Sequence, residues 1–358
     1  MATAVVAPDT VSATPPPVLG VIGEYSAADL QRMHVEGGAG LALVELRWSR
    51  AEPAPGRFDL SYLDGVRQRI GQLRAAGYAV ALNPGVQNAP PWVLDQPGAR
   101  YVDQFGQPYM DSDEPNLVFG LVLRPLAVRY LRQVFARIGR DFSIVRAGGG
   151  HWGELTYPAR LDPKTGRPEY RYYAFDVNAL RADPVPAWRP GQPSPRGEST
   201  KFLTWYLDAL AAYQNWQIVA LREAGYAGTV AVLYPSFGMR AGDFERAVAT
   251  NLAGVSNAER NGEVQRGYDA ARQIAALTDP NVVVYGTWAE NPDTIVYLTS
   301  LARARHRRVM AETSHSCLAA QLPAVMRAAR ANRLAAVYVV RLPAAAVVQG
   351  ARYLRPAS

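Results

Sequence analysis

The chain has 358 residues, of which 49% are hydrophobic and 19% charged, a balance that excludes a disordered polar chain and supplies a large core. Its 38 basic and 31 acidic residues leave a net charge of +7. Only Lys164 and Lys201 are lysines, so 36 of the cations are arginines, mostly spread singly; no nucleic-acid partner is expected from such a pattern. The one cysteine, Cys317, excludes an internal disulfide framework, and the four histidines form no metal-binding pair, so neither metal nor cofactor is expected. No apolar run approaches the roughly 18 residues of a membrane span.

In chain order, residues 1–17 read as a flexible leader, low in charge and closing on three prolines. They lack the positive start and apolar run of a secretory signal. A soluble protein is expected, either cytoplasmic or secreted with a trimmed signal. Short β-branched or apolar runs then alternate with longer helical patterns. Strands are predicted at 18–25, 40–48, 79–86, 144–149, 229–234, 281–287, 307–312 and 335–342. Helical patterns are predicted at 27–38, 61–77, 126–138, 200–224, 266–277, 294–303 and 318–331. Eight strands, most followed by a helix, predict an α/β fold, a single (β/α)8 TIM barrel over residues 18–358. The proline- and aromatic-rich stretch 159–198 has no clear period and reads as a long loop after strand four, over the catalytic face.

In such barrels the reacting groups sit at the C-terminal strand ends. Glutamates cluster there: Glu24, Glu45, Glu154, Glu290 and Glu312. Crowded carboxylates split into a protonated acid and an ionised partner, the pair that glycosidic cleavage needs. Glu154, in GGGHWGELTYP, is the expected general acid, its glycines letting the chain bend and His151, Trp152 and Tyr157 surrounding it. Glu312, ending strand seven, is the expected base or nucleophile, with Glu290 as a rival. Arg341, ending strand eight, is expected to orient Glu312 and keep it ionised. Trp48, Trp92, Trp152 and Trp288 fall just past strands, where flat rings stack on sugar C–H faces. With Glu45, Asn83 and Tyr234 at other strand ends, they complete the expected substrate-binding set. The arginines Arg303, Arg305, Arg307 and Arg308 precede strand seven and so belong to the opposite face.

The stretch from strand two to strand three resembles clan A glycoside hydrolases, and most nearly the family 42 β-galactosidases. The matching residues are Trp48, Glu52, Pro53, Gly56, Phe58, Asp59, Leu63, Asp64, Pro91 and Trp92. The second half resembles the β-amylases of family 14. There Gly153, Glu154, Leu155, Tyr157 and Pro158 stand as the acid motif, Glu312 and Thr313 as the base motif, and Tyr338, Arg341 and Leu342 at strand eight. The resemblance implies hydrolysis of O-glycosidic bonds in an oligo- or polysaccharide, with Glu154 as acid. Glu312 is then the base of an inverting enzyme or the nucleophile of a retaining one. A non-catalytic sugar-binding barrel is the alternative.

Overall fold

Eight parallel strands close on themselves, each hydrogen-bonded to its neighbours in chain order and the last to the first. The computed structural model describes residues 15–354, apart from 151, 163, 236 and 255–258. The leader therefore falls almost wholly outside the described residues. The barrel strands are β1 (Val18–Ile22), β2 (Ala39–Glu45), β3 (Ala79–Asn83), β4 (Ile144–Ala147), β5 (Thr229–Tyr234), β6 (Val282–Gly286), β7 (Val309–Glu312) and β8 (Ala336–Val340). This is the expected (β/α)8 barrel.

Side chains along a strand alternate between its two faces. One set fills the barrel: Ile22, Leu41, Leu43, Ala81, Ile144, Ala231, Leu233, Val283, Tyr285, Met310, Ala336 and Tyr338. The other set, with Val232, Val284 and Val339 among it, packs outward on the helices. Gly20 lies opposite Tyr338 in the register. A Cβ there would sit 2.4 Å from the Tyr338 ring, so only glycine leaves room for that phenol inside the barrel.

Helices cover the outside and start where the chain supplies caps. Ser26 accepts from the Asp29 amide ahead of the helix Ala27–Val35, and Asp59 accepts from the Tyr62 amide ahead of Leu60–Ala75. The longest helix, Glu198–Glu223, packs behind β4, and Ala344–Ala351 closes the ring beyond β8, a helix the sequence pattern did not announce. The stretch 159–198 is not structureless. It carries a hairpin pairing Ala159–Leu161 with Pro168–Tyr170, then the helix Val177–Ala182. Its aromatics Tyr172, Tyr173, Phe175 and Trp188 are buried, with Phe175 stacked on Phe202 of the helix Glu198–Glu223 at 5.5 Å, so the stretch is anchored in the main apolar core. No helix among the described residues is long and apolar enough to cross a membrane.

Candidate active site

The C-terminal strand ends surround a cleft of about 640 Å³ that includes both Glu154 and Glu312. Glu154 is held by a tight turn after β4. The Gly149 and Gly150 amides donate to its carbonyl at 3.1 and 2.6 Å, and the Leu155 amide donates to the Leu233 carbonyl at 2.7 Å. A Cβ on Gly148 would lie 1.6 Å from the Gly153 carbonyl, and Gly153 itself has φ of 92°, so the glycines let this turn close. The Thr287 hydroxyl, just past β6, donates to Glu154 Oε1 at 2.9 Å. The Arg266 guanidinium stands 4.0 Å from Oε2.

Glu312 ends β7 on the inward parity, two residues after Met310. Its carboxylate pairs with Arg146 of β4 and accepts a 3.0 Å hydrogen bond from the Tyr285 hydroxyl of β6. The Arg146 guanidinium also donates to that hydroxyl at 2.6 Å and lies 4.5 Å over the Tyr285 ring. Burial pushes the Glu312 carboxyl above the usual carboxylate range, against the opposing pull of Arg146 and Tyr285. Burial also disfavours the Arg146 cation, but Glu312 and Tyr285 outweigh it and hold its pKa up.

The partner of Glu312 is thus Arg146, not the expected Arg341. Arg341 is the first residue past β8, with φ of 53°, and it lines the cleft without an ion pair among the described residues. Left-handed backbone at a non-glycine residue is costly, and the cleft collects two more cases, Trp288 at 58° and Phe237 at 70°.

Several expected contacts face elsewhere. Trp48 is fully buried: β2 ends at Glu45, and the chain turns into the short helix Trp48–Ala51. There its indole donates to Glu52 at 2.9 Å and stacks on Tyr130 at 5.0 Å. Trp92 donates to the Glu52 carbonyl at 3.0 Å and packs edge-on against Trp48. Glu52 also takes Arg129 and the Gly56 amide, so the W-x3-E-P motif is a buried brace rather than a sugar platform. Tyr157 stacks on Tyr206 at 3.9 Å in the core. Tyr234 follows the inward Leu233, so parity sends it outward, where it donates to Gln214 at 2.9 Å. Glu290 accepts from the Ser314 amide at 3.0 Å and from the Ser314 hydroxyl, bracing the loop after β7 instead of lining the cleft.

Other expected residues do reach the cleft or its floor. Trp152 is 75% exposed and stacked with His315 at 6.4 Å, and Trp288 lines the wall beside Phe237. Glu45 lines the cleft and accepts from Asn83 at 3.3 Å; Asn83 is buried beneath it. His151 lies outside the described residues. Sequence reasoning missed Arg146, Tyr285, Thr287, Arg266 and Glu263. Arg146 had a readable signal, a cation on the inward parity of an otherwise apolar strand. The arginines near strand seven lie at the opposite barrel end, where Arg303 and Arg307 bond the Asn332 and Leu277 carbonyls. Among the described residues, no group of three or more metal-ligating side chains comes together.

The family 42 glycoside hydrolase profile, described as β-galactosidase, matches residues 22–145. The catalytic domain of β-amylase from Paenibacillus polymyxa superposes with a TM-score of 0.71 at 13% identity, over 95% of this chain and 99% of that one. The chain resembles clan A glycoside hydrolases. β-Galactosidases from the psychrophilic Marinomonas ef1 and from the haloarchaeon Halorubrum lacusprofundi share the fold too. Each has a TM-score of 0.61 at 14% identity over 94% of this chain. The chain spans 59% and 58% of their lengths. No curated protein matches by sequence. At such identities the solved structures speak for the fold, and the family 42 profile ends near the start of β4, before either glutamate.

Proposed function

We propose that the protein is a glycosidase that cleaves O-glycosidic bonds of an oligo- or polysaccharide with Glu154 as general acid and Glu312 as base or nucleophile. The observation that carries this reading is two carboxylates, one after β4 and one ending β7, facing a single cleft under different restraints. Glu312 is fixed by a cation and a phenol, which hold its carboxylate in place as a base or nucleophile. Glu154 is met by a hydroxyl and a more distant guanidinium, which leaves its second oxygen free to carry a proton to the leaving oxygen. Trp152 and Trp288 offer apolar faces to sugar rings, and Glu45 and Arg341 offer polar groups to hydroxyls. The resemblance to β-galactosidases and β-amylases supports the same reaction class.

Carboxyl groups about 5–5.5 Å apart imply a covalent intermediate and retention, and about 6.5–9.5 Å imply inversion. The test is a screen of nitrophenyl glycosides, starch and plant and bacterial polysaccharides, with NMR of the first-formed product anomer. Hydrolysis by the wild type that disappears in Glu154→Gln and in Glu312→Gln is the expected result. Sugar binding with no turnover of any substrate would replace this reading with a binding barrel.

A further inference from the structure

Beside the acid lies a third carboxylate that the reading above does not use. Glu263, on the helix Glu259–Gln265, lines the cleft yet is only 4% exposed. One of its oxygens accepts from Arg266 Nη1 at 2.9 Å. The other is buried without a hydrogen-bond partner among the described residues, with a weak pull from the Gly238 amide. The same guanidinium turns Nη2 toward Glu154, but at 4.0 Å. One cation therefore stands between two carboxylates and is bound by the farther one from the chemistry. The Tyr170 ring, 5.5 Å away, backs the guanidinium and limits where it can swing.

This asymmetry has a chemical consequence. A guanidinium hydrogen-bonded to a carboxyl favours its anion and would strip an acid catalyst of its proton. We propose that Glu263 is a positioning residue that holds Arg266 off Glu154, so that the acid keeps its proton until the leaving oxygen takes it. At cleavage Glu312, or the water it deprotonates, bonds to the anomeric carbon as the glycosidic C–O bond breaks; the electron pair of that bond goes to the leaving oxygen, which takes the Glu154 proton. Glu154 is then an anion, and Arg266 is close enough to move onto it. Burial raises the Glu263 pKa, with Arg266 opposing, as expected of a carboxylate whose one ion-pair partner among the described residues is shared. Among the described residues, the other charged or titratable groups around Glu154 are Glu312 with its partner Arg146, and Arg167, His315, Glu45 and Arg341 on the cleft walls. Tyr268 is buried nearby, and the Glu263 charge adds to the burial that holds its phenol protonated.

The inference rests on Glu154 being the acid, and the experiment separates the two. The readout is the pH profile of kcat/KM, taken on a nitrophenyl glycoside and on an alkyl glycoside of the same sugar. Glu263→Gln releases Arg266 toward Glu154, so the alkaline limb should fall by about one pH unit or more. The accompanying loss should be larger for the alkyl substrate, whose leaving group needs the proton. Glu263→Asp should restore part of the shift. Arg266→Met should move the limb upward, and adding Glu263→Gln to it should lower the limb by much less than Glu263→Gln does alone, because only the direct repulsion between the two carboxylates is then removed. A limb within about 0.3 unit of wild type in Glu263→Gln overturns the proposal while leaving the acid assignment intact. A fully active Glu154→Gln overturns the assignment itself. If Glu263→Gln fails to fold, an unmoved limb in Arg266→Met overturns the proposal equally.

Discussion

Replacing Arg146 by methionine isolates what the guanidinium does for Glu312. The two side chains are 7% and 14% exposed, so removing the cation strands a carboxylate in a poorly solvated place. The anion can remain charged there, at several kcal/mol, or take up a proton. Proton uptake caps the cost, because a glutamate that ordinarily titrates near 4.3 needs about 1.36 kcal/mol for each pH unit above that value. The cap is about 3.7 kcal/mol at pH 7 and about 1.0 kcal/mol at pH 5. The stability gap between wild type and Arg146→Met should therefore widen by up to about 2.7 kcal/mol between those pH values. The sign follows from the direction of the shift. Burial raises the folded-state pKa of Glu312, so its contribution is fully present below the unfolded value and is lost as pH rises through the folded value. Removing Arg146 raises the folded value further and extends that loss upward in pH. Urea unfolding at both pH values measures the gap. The same substitution in a Glu312→Gln background should lose most of that pH dependence, since the carboxylate paired with Arg146 is gone and only the weaker coupling to Glu45 remains. A pH-independent loss in the single variant would refute the account of Glu312 as a buried, cation-held carboxylate.

Three further outcomes follow from the same geometry. Glu154→Gln and Glu312→Gln should each lower kcat by several orders of magnitude, whereas Glu290→Gln, which only loosens the Ser314 brace, should cost far less; the reverse order in steady-state kinetics would exchange the two roles. Trp48→Ala should destabilise the fold by about 3–5 kcal/mol through the cavity beside Tyr130, while KM of the residual folded enzyme stays unchanged. A KM rise matching the loss of an aromatic subsite would contradict the buried placement. Tyr234→Phe should cost about 1 kcal/mol, the net worth of its bond to Gln214, with kcat/KM unaltered; a large kinetic effect would mean that the phenol reaches substrate.

Much of the barrel was legible because its cause is local. Short continuous apolar runs such as TVAVLY and NVVVYGT separated by helical patterns carry the βα rhythm, and eight of them leave closure as the natural solution. The element ends were less legible. The run through Trp48 reads as continuous strand, yet β2 stops at Glu45 and the indole turns under Glu52. A strand carried on to Trp48 puts that indole at the cleft, whereas the true end at Glu45 puts it in the core. Tyr234 shows the same limit in another form: it ends a strand, but parity counted from Leu233 sends it to the helices.

The sequence by itself therefore determined the repeat and the presence of Glu154 and Glu312 at the mouths of the fourth and seventh strands. Those are properties of short windows, where propensity and alternation act within a few residues. The tertiary structure alone decided which charges meet. Arg146 reaches Glu312 across the barrel from 166 positions away, and Arg266 sits between Glu154 and Glu263 because a helix end from beyond β5 folds over the mouth. Such pairings depend on barrel closure and strand parity together. For that reason Arg341, adjacent to the cleft and open to solvent, looked in one dimension like the partner that Arg146 is in three.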